Sequence, residues 1–217
     1  MMDELVSPGS EATDLNALLA AAGLDPVQKA TRTKFDSYLS LMQHWNSRIN
    51  LTAIRDAESI MSRHFVESIA CAQFLPTGID SLLDFGSGAG FPGIPIALCR
   101  PEIVVTLAES QSKKAAFLQE AVRTLELTCK IWPRRAEELG HQFDCVILRA
   151  VDQMERAVAA AAELVKPGRW LAILTTQADL PRIQAPAGRE FQWLEPFRLS
   201  GSDQRLICVA SKASRSD

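Results

Sequence analysis

The stretch "LLDFGSGAGFPGIP", Leu82 to Pro95, sets four glycines and two prolines among apolar residues. Glycine lets a backbone approach a bound molecule closely and adopt positive φ. Counted from Gly88 the spacing is G-x-G-x-x-G, which suits a dinucleotide. Counted from Asp84 it is acid-x-G-x-G-x-G, which suits S-adenosylmethionine, with Gly86 and Gly88 beneath the cofactor. Asp84 bears on the choice. A carboxylate there would repel a pyrophosphate, but it could engage the ammonium of a methionyl group, directly or through water. Its competing role is as a helix-dipole partner that touches no ligand. Glu109, at the end of the next apolar run, is placed to accept from ribose hydroxyls of either cofactor. Together the two acids favour S-adenosylmethionine over NAD.

Further along, "PRRAEEL" follows a short β-rich run and brings Ala136 and Glu137 toward the same edge, where a backbone amide can meet an adenine ring. "FDCVILRAV" puts Arg149 at the next strand end, a position suited to cofactor or substrate contact. Some chemistries are not represented. No Asn/Asp-Pro-Pro-aromatic stretch is present to hold an exocyclic amine, and no Pro-Cys nucleophile, Cys145 being mid-strand. His44, His64 and His141 are isolated, and no His or Cys spacing suits a metal. His64, beside Arg63, is the one histidine to consider for substrate. A methyl acceptor that needs no base fits this set, and guanine N7 is one. Its in-plane lone pair carries no proton, so holding it in line with a sulfonium methyl supplies most of the acceleration.

These residues must be positioned by a sheet. After residue 80, short β-rich runs alternate with helical patterns: "SLLDF", "IVVTLAE", "TCKIW", "FDCVILR" and "RWLAILTT", then "FQWLEPF" and "RLICVAS". Alternation of this kind gives βαβ units and a parallel sheet. The last two runs leave no room for a helix and read as an antiparallel edge hairpin. The fold class expected is α/β, a class I S-adenosylmethionine-dependent methyltransferase with a Rossmann-like sheet. Asp152 and Glu155 form a capping-box pattern for the helix that follows. Before residue 80 the pattern is helical, with stripes such as Phe35, Tyr38, Leu39, Met42 and Trp45, and Ile60, Met61, Phe65, Ile69 and Ala72. The organisation expected is a flexible tail over 1–13, a helical extension over 14–78 that packs on the sheet, and the catalytic domain over 79–217.

Composition is that of an ordinary globular chain with five scattered cysteines and no apolar run near membrane length. A cytoplasmic location follows as an expectation. The formal net charge is −3, yet the first 25 residues hold five acids and no Lys or Arg. Residues 28–66 carry six basic against three acidic residues. Arg32, Lys34, Arg48 and Arg63 are therefore candidate contacts for a polyanion.

"HWNSRINLTAI", "RHFVESI", "LLDFGSGAGFPGIPIAL", "ESQSKKAAFL", "RRAEE" and "LRAV" occur in this order. In them the chain, from about residue 30 to 210, resembles the ribosomal RNA small-subunit methyltransferase G family. The resemblance implies methyl transfer from S-adenosylmethionine to N7 of one guanosine in 16S rRNA, on naked rRNA or on the small ribosomal subunit. It implies no membrane and no stable protein partner. It also implies cofactor contacts at Gly86, Phe91, Ala136, Glu137 and Arg149. With the residue-level reading, Arg149 is the expected catalytic residue, and Arg48, Arg63 and His64 are the expected substrate contacts. Around the fifth strand the family usually carries Gly-Gly and Lys-Gly, where this chain has Gly168-Arg169 and Thr175-Thr176. Arg169 is thus a candidate replacement for an RNA-facing lysine. The alternatives are a methyltransferase for a small molecule or a protein, and a non-catalytic cofactor-binding assembly factor.

Overall fold

The computed structural model describes residues 14–199 and 204–214; the expected 1–13 tail lies outside them. Helices α1 (Leu15–Ala21), α2 (Lys29–Asn46), α3 (Ala57–Ser59) and α4 (Val66–Phe74) come first, with a π-helical turn over Ile60–Phe65 between the last two. There follow β1 (Ser81–Phe85), α5 (Gly93–Cys99), β2 (Val104–Ala108), α6 (Ser112–Thr124), β3 (Lys130–Trp132), β4 (Phe143–Arg149), α7 (Met154–Glu163) and β5 (Val165–Thr176). The chain closes with α8 (Leu180–Ala187), β6 (Phe191–Trp193), β7 (Phe197–Arg198) and β8 (Arg205–Lys212). The sheet order is β3-β2-β1-β4-β5-β8-β6, with β7 also on β8. β1 through β5 pair in parallel, whereas β8 runs antiparallel to β5, β6 and β7. The last strand therefore inserts between β5 and β6.

Two-residue periodicity divides the sheet between two cores. Leu82, Leu107, Cys145 and Ile147 face α2, α4, α5 and α6 together with Phe35, Tyr38, Phe65 and Phe117. Leu83, Val146, Leu148 and Ile173 face α7 and α8. The N-terminal helices thus share a core with the sheet. Asp14 caps α1 by accepting from the Asn16 amide at 3.1 Å.

Two local expectations are corrected and one helix is added. Residues 57–74 do not form one uniform α-helix, because the π-helical turn interrupts them; such turns are frequent at functional sites. α8 carries Pro181 near its start and Pro186 inside it, and these prolines mask its helical pattern. Asp152 does not cap α7. The N-cap is Gln153, held at φ +50 with no side-chain cap bond, and Asp152 lines a cleft instead.

Candidate functional site

The carboxyl ends of β1, β2 and β4 open into a cleft of about 780 Å³, the place where an open α/β sheet offers a ligand crevice. Gly86, Gly88, Phe91, Glu109, Ala136, Glu137 and Arg149 all line it, as do Arg63 and His64. Arg48 is exposed beyond α2 and does not line the cleft.

Glu109 ties the first two strand ends together. Its Oε2 accepts from the Gly88 amide at 2.9 Å and its Oε1 from the Gln111 amide at 2.7 Å. Each oxygen keeps a second lone pair for a hydroxyl of a ligand. Ala136 and Glu137 enter the wall on a 3-10 turn over Ala136–Glu138, just past β3. Gly86 is exposed at φ +76, and a Cβ there would meet Val151 Cγ1 at 3.1 Å. A bare backbone over β1, a carboxylate past β2 and a backbone turn past β3 are what a nucleoside with an amino-acid tail requires. S-adenosylmethionine therefore fits these residues.

Asp84 corrects the expectation of direct ligand contact. It is 1% exposed and is not among the residues that line the cleft. Its Oδ2 accepts from the Gly93 amide at 3.0 Å at the start of α5, while its Oδ1 is buried with no partner. A Cβ on Gly93 would fall 2.6 Å from Asp84 Oδ2, so the carboxyl and the helix start are fitted to each other. Burial raises the Asp84 pKa from the ordinary 3.8 to about 7, against the lowering effect of the Gly93 amide. The folded protein therefore holds a proton here that the unfolded chain has lost. Stability falls as pH rises from about 4 to 7 and is level above that. D84N should accordingly unfold at a higher temperature than wild type at pH 8, with the gap closing toward pH 4. A constant gap in a pH series of thermal melts would show that Asp84 is ionised throughout.

Arg149 is the hub of the β4 end, its side chain only 14% exposed. Its Nη2 donates to Glu67 Oε2 at 2.8 Å and to the Arg63 carbonyl at 3.1 Å, and it lies 2.9 Å from His64 Nδ1. Glu67, itself buried, also pairs with Arg205 from β8. His64 is held neutral. Burial first, then Arg149, Arg63 and Arg205, push its pKa down to about 3. Its Nε2 lies 3.0 Å from Thr52 Oγ1, and its ring stacks on Phe91 at 4.7 Å. Arg149 stays cationic, its pKa lowered to about 10 by burial and Arg63.

The basic candidates divide. Arg32 pairs with Asp14 and Asp36, and Lys34 donates to the Leu125 carbonyl at 2.7 Å, so the fold itself engages both. Arg169 donates to Gly78 O at 2.8 Å and pairs with Asp144 at 3.3 Å. Asp144 lies at the amino end of β4, opposite the cleft, which removes Arg169 as a cleft-side replacement for a lysine. Five other cations line the cleft: Arg63, Lys114, Arg134, Arg135 and Arg156. None of the five makes an ion pair among the described residues. Sequence reasoning missed four of these, along with Thr52 and Glu67. Thr52 and Glu67 stand inside the quoted "NLTAI" and "RHFVESI", but no local pattern marks Glu67 as a partner of Arg149 or Thr52 as a partner of His64.

A family model described as GidB, rRNA small subunit methyltransferase G, matches residues 31–188. A Stenotrophomonas maltophilia protein named ribosomal RNA small subunit methyltransferase G is 38% identical over 96% of this chain and 99% of its own length. One of the same name from Xanthomonas axonopodis pv. citri is 35% identical over 98% and 100%. Among solved structures, magnesium protoporphyrin IX methyltransferase from Synechocystis with bound S-adenosylmethionine aligns with TM-score 0.60 at 17% identity, covering 87% of this chain and all of that one. A Thermotoga maritima S-adenosylmethionine-dependent O-methyltransferase aligns at 0.56 and 18%, covering 70% of this chain and 66% of that one. At such identities the structures speak for the fold.

Proposed function

The chain belongs to the rRNA small subunit methyltransferase G family, and from that premise we propose that it transfers a methyl group from S-adenosylmethionine to guanine N7 in 16S rRNA, in the cytoplasm. When bound, S-adenosylmethionine would supply an electrophilic methyl whose carbon–sulfur electron pair would stay on sulfur, so an acceptor with a bare lone pair would lose no proton. Gly86 and Gly88 are the residues to hold its methionyl part, Glu109 its ribose, and Ala136 with Glu137 its adenine. That order along the sheet edge leaves the β4 end, with Arg149, for the target base. No helix of the described residues is long and apolar enough to cross a membrane.

The observation that carries the N7 reading is the state of His64, the one histidine in the cleft wall. Both of its ring nitrogens are engaged, and Arg149 does not deprotonate near neutrality. His64 and Arg149 therefore offer orientation rather than a base, which suits an acceptor with a bare lone pair. The test is transfer of tritiated methyl to isolated small subunits, naked rRNA and a panel of small molecules. Label confined to the N7 of one rRNA guanosine supports the reading. Label on small molecules alone, or on nothing, rejects it.

The five cleft cations that make no ion pair among the described residues suit an RNA backbone. Replacing Lys114, Arg134 and Arg156 with Gln should weaken binding to small-subunit RNA. It should also flatten the salt dependence by about 2 to 3 in log–log slope, since each phosphate contact contributes about 0.7–0.9. S-adenosylhomocysteine affinity should hold. The pair Arg32→Gln and Lys34→Gln should leave the slope unchanged. Filter binding across a salt series reads both, and an unaltered slope in the triple variant would remove these cations from the RNA path.

A further inference from the structure

Thr52 is fixed in the cleft wall by its surroundings. The buried Asn46 side chain accepts from the Leu51 amide at 3.0 Å and from the Thr52 amide at 3.3 Å, and donates to the Thr52 carbonyl at 3.3 Å. The Thr52 hydroxyl oxygen accepts from the Ile54 amide at 3.2 Å. Its second contact, His64 Nε2 at 3.0 Å, is resolved by what lies behind the ring. Arg149 Nη2 faces His64 Nδ1 and has only hydrogens to offer, so Nδ1 is the bare nitrogen and Nε2 carries the proton. His64 therefore donates to Thr52. Both lone pairs of the hydroxyl are then occupied, and its own hydrogen has no acceptor among the described residues. Thr52 lines the cleft together with Arg149.

We propose that Thr52 is a specificity-determining residue, a hydroxyl oriented by the Glu67–Arg149–His64 chain to donate one hydrogen bond to the O6 of the target guanine. The proposal rests on the rRNA guanine-N7 reading above. A free threonine hydroxyl both donates and accepts, so it does not separate a carbonyl from an amine. With its lone pairs filled it only donates. O6 lies next to N7 on the major-groove edge of guanine, and adenine carries an amine donor there. A donor-only group at that point accepts guanine and leaves adenine with two opposed donors, a mismatch that discriminates strongly in a desolvated site. Glu67 and His64 are positioning residues in this arrangement. Glu67 holds Arg149, Arg149 selects the His64 tautomer, and His64 fills the Thr52 lone pair.

The test is single-turnover methyl transfer by wild type, T52V and T52S to small subunits reconstituted with either guanosine or 2-aminopurine at the target nucleotide. 2-Aminopurine keeps N7 and lacks O6. On guanosine, T52V should be about 10- to 100-fold slower than wild type, and T52S should retain most of the rate. Wild type should lose a similar factor on 2-aminopurine, and T52V should lose nothing further there. S-adenosylhomocysteine affinity, by calorimetry, should be equal in all three. The proposal is overturned by near-wild-type T52V on guanosine, by equal T52V losses on both bases, or by weakened cofactor affinity. Equal wild-type rates on the two bases overturn it even if T52V does not fold. No transfer by wild type to either subunit overturns the rRNA reading itself, and this proposal with it.

Discussion

Gly86→Val is expected to abolish S-adenosylhomocysteine binding, by more than about 100-fold, in a protein that still folds. Gly86 sits at φ +76, where a side chain costs about 1–3 kcal/mol of backbone strain and a β-branched one is worst placed. Its Cβ would approach Val151 Cγ1 to 3.1 Å, and the two γ-methyls would add bulk over the carboxyl end of β1. That is the ground assigned to the methionyl group. The residue is exposed, so the core has little to lose. Gly140 is the control, because a Cβ there meets nothing within 4 Å and its φ is not strained. Gly140→Val should bind the cofactor product as wild type does. Titration calorimetry on both proteins, with thermal melts to confirm folding, is the measurement. Wild-type affinity in folded Gly86→Val would take the first glycine out of the cofactor site.

What the sequence made legible was local. The glycine loop, the β-rich runs and Arg149 at the end of "FDCVILR" could be read because strand, turn and helix start are encoded within a few residues of one another. What escaped was set by contacts across long separations. The chain from Thr52 through His64 and Arg149 to Glu67 joins residues more than 80 positions apart and depends on the π-helical turn that carries Arg63 and His64. Asp84 could be recognised as important, but its orientation could not. Only its close fit to Gly93, whose amide it accepts from, shows that it supports the loop from beneath. Charge counting likewise marked Arg32 and Lys34, which the fold engages internally. It passed over Lys114, Arg134 and Arg156, which three separate connections bring to one cleft.

Arg149→Ala should leave a folded protein with methyl transfer reduced by about 100- to 1,000-fold, the scale of removing one preorganised donor from an active site. Two effects must be separated, because the guanidinium also neutralises Glu67, whose side chain is 7% exposed. Removing one partner of a buried pair costs up to about 3–5 kcal/mol, and less here because Arg205 remains on the other carboxylate oxygen. The double variant Glu67→Gln/Arg149→Ala should therefore recover stability relative to Arg149→Ala without recovering transfer, a non-additivity expected of groups in contact. Arg149→Lys should not rescue either, since an ammonium lacks the planar fork that meets Glu67, His64 and a ligand together. The pH profile completes the test. His64 titrates at about 3 and Arg149 at about 10, both outside the working range. Of the groups around the glycine loop, Asp84, at about 7, titrates within it. A D84N background should give a flat single-turnover rate between roughly pH 6.5 and 8.5, because N7 has no proton to lose. A rate climbing tenfold per pH unit in D84N would reveal an essential deprotonation and exclude base-free transfer. Full activity in Arg149→Ala would reduce the arginine to a structural partner of Glu67, and the orientation of the target base would then have to come from another element of the cleft.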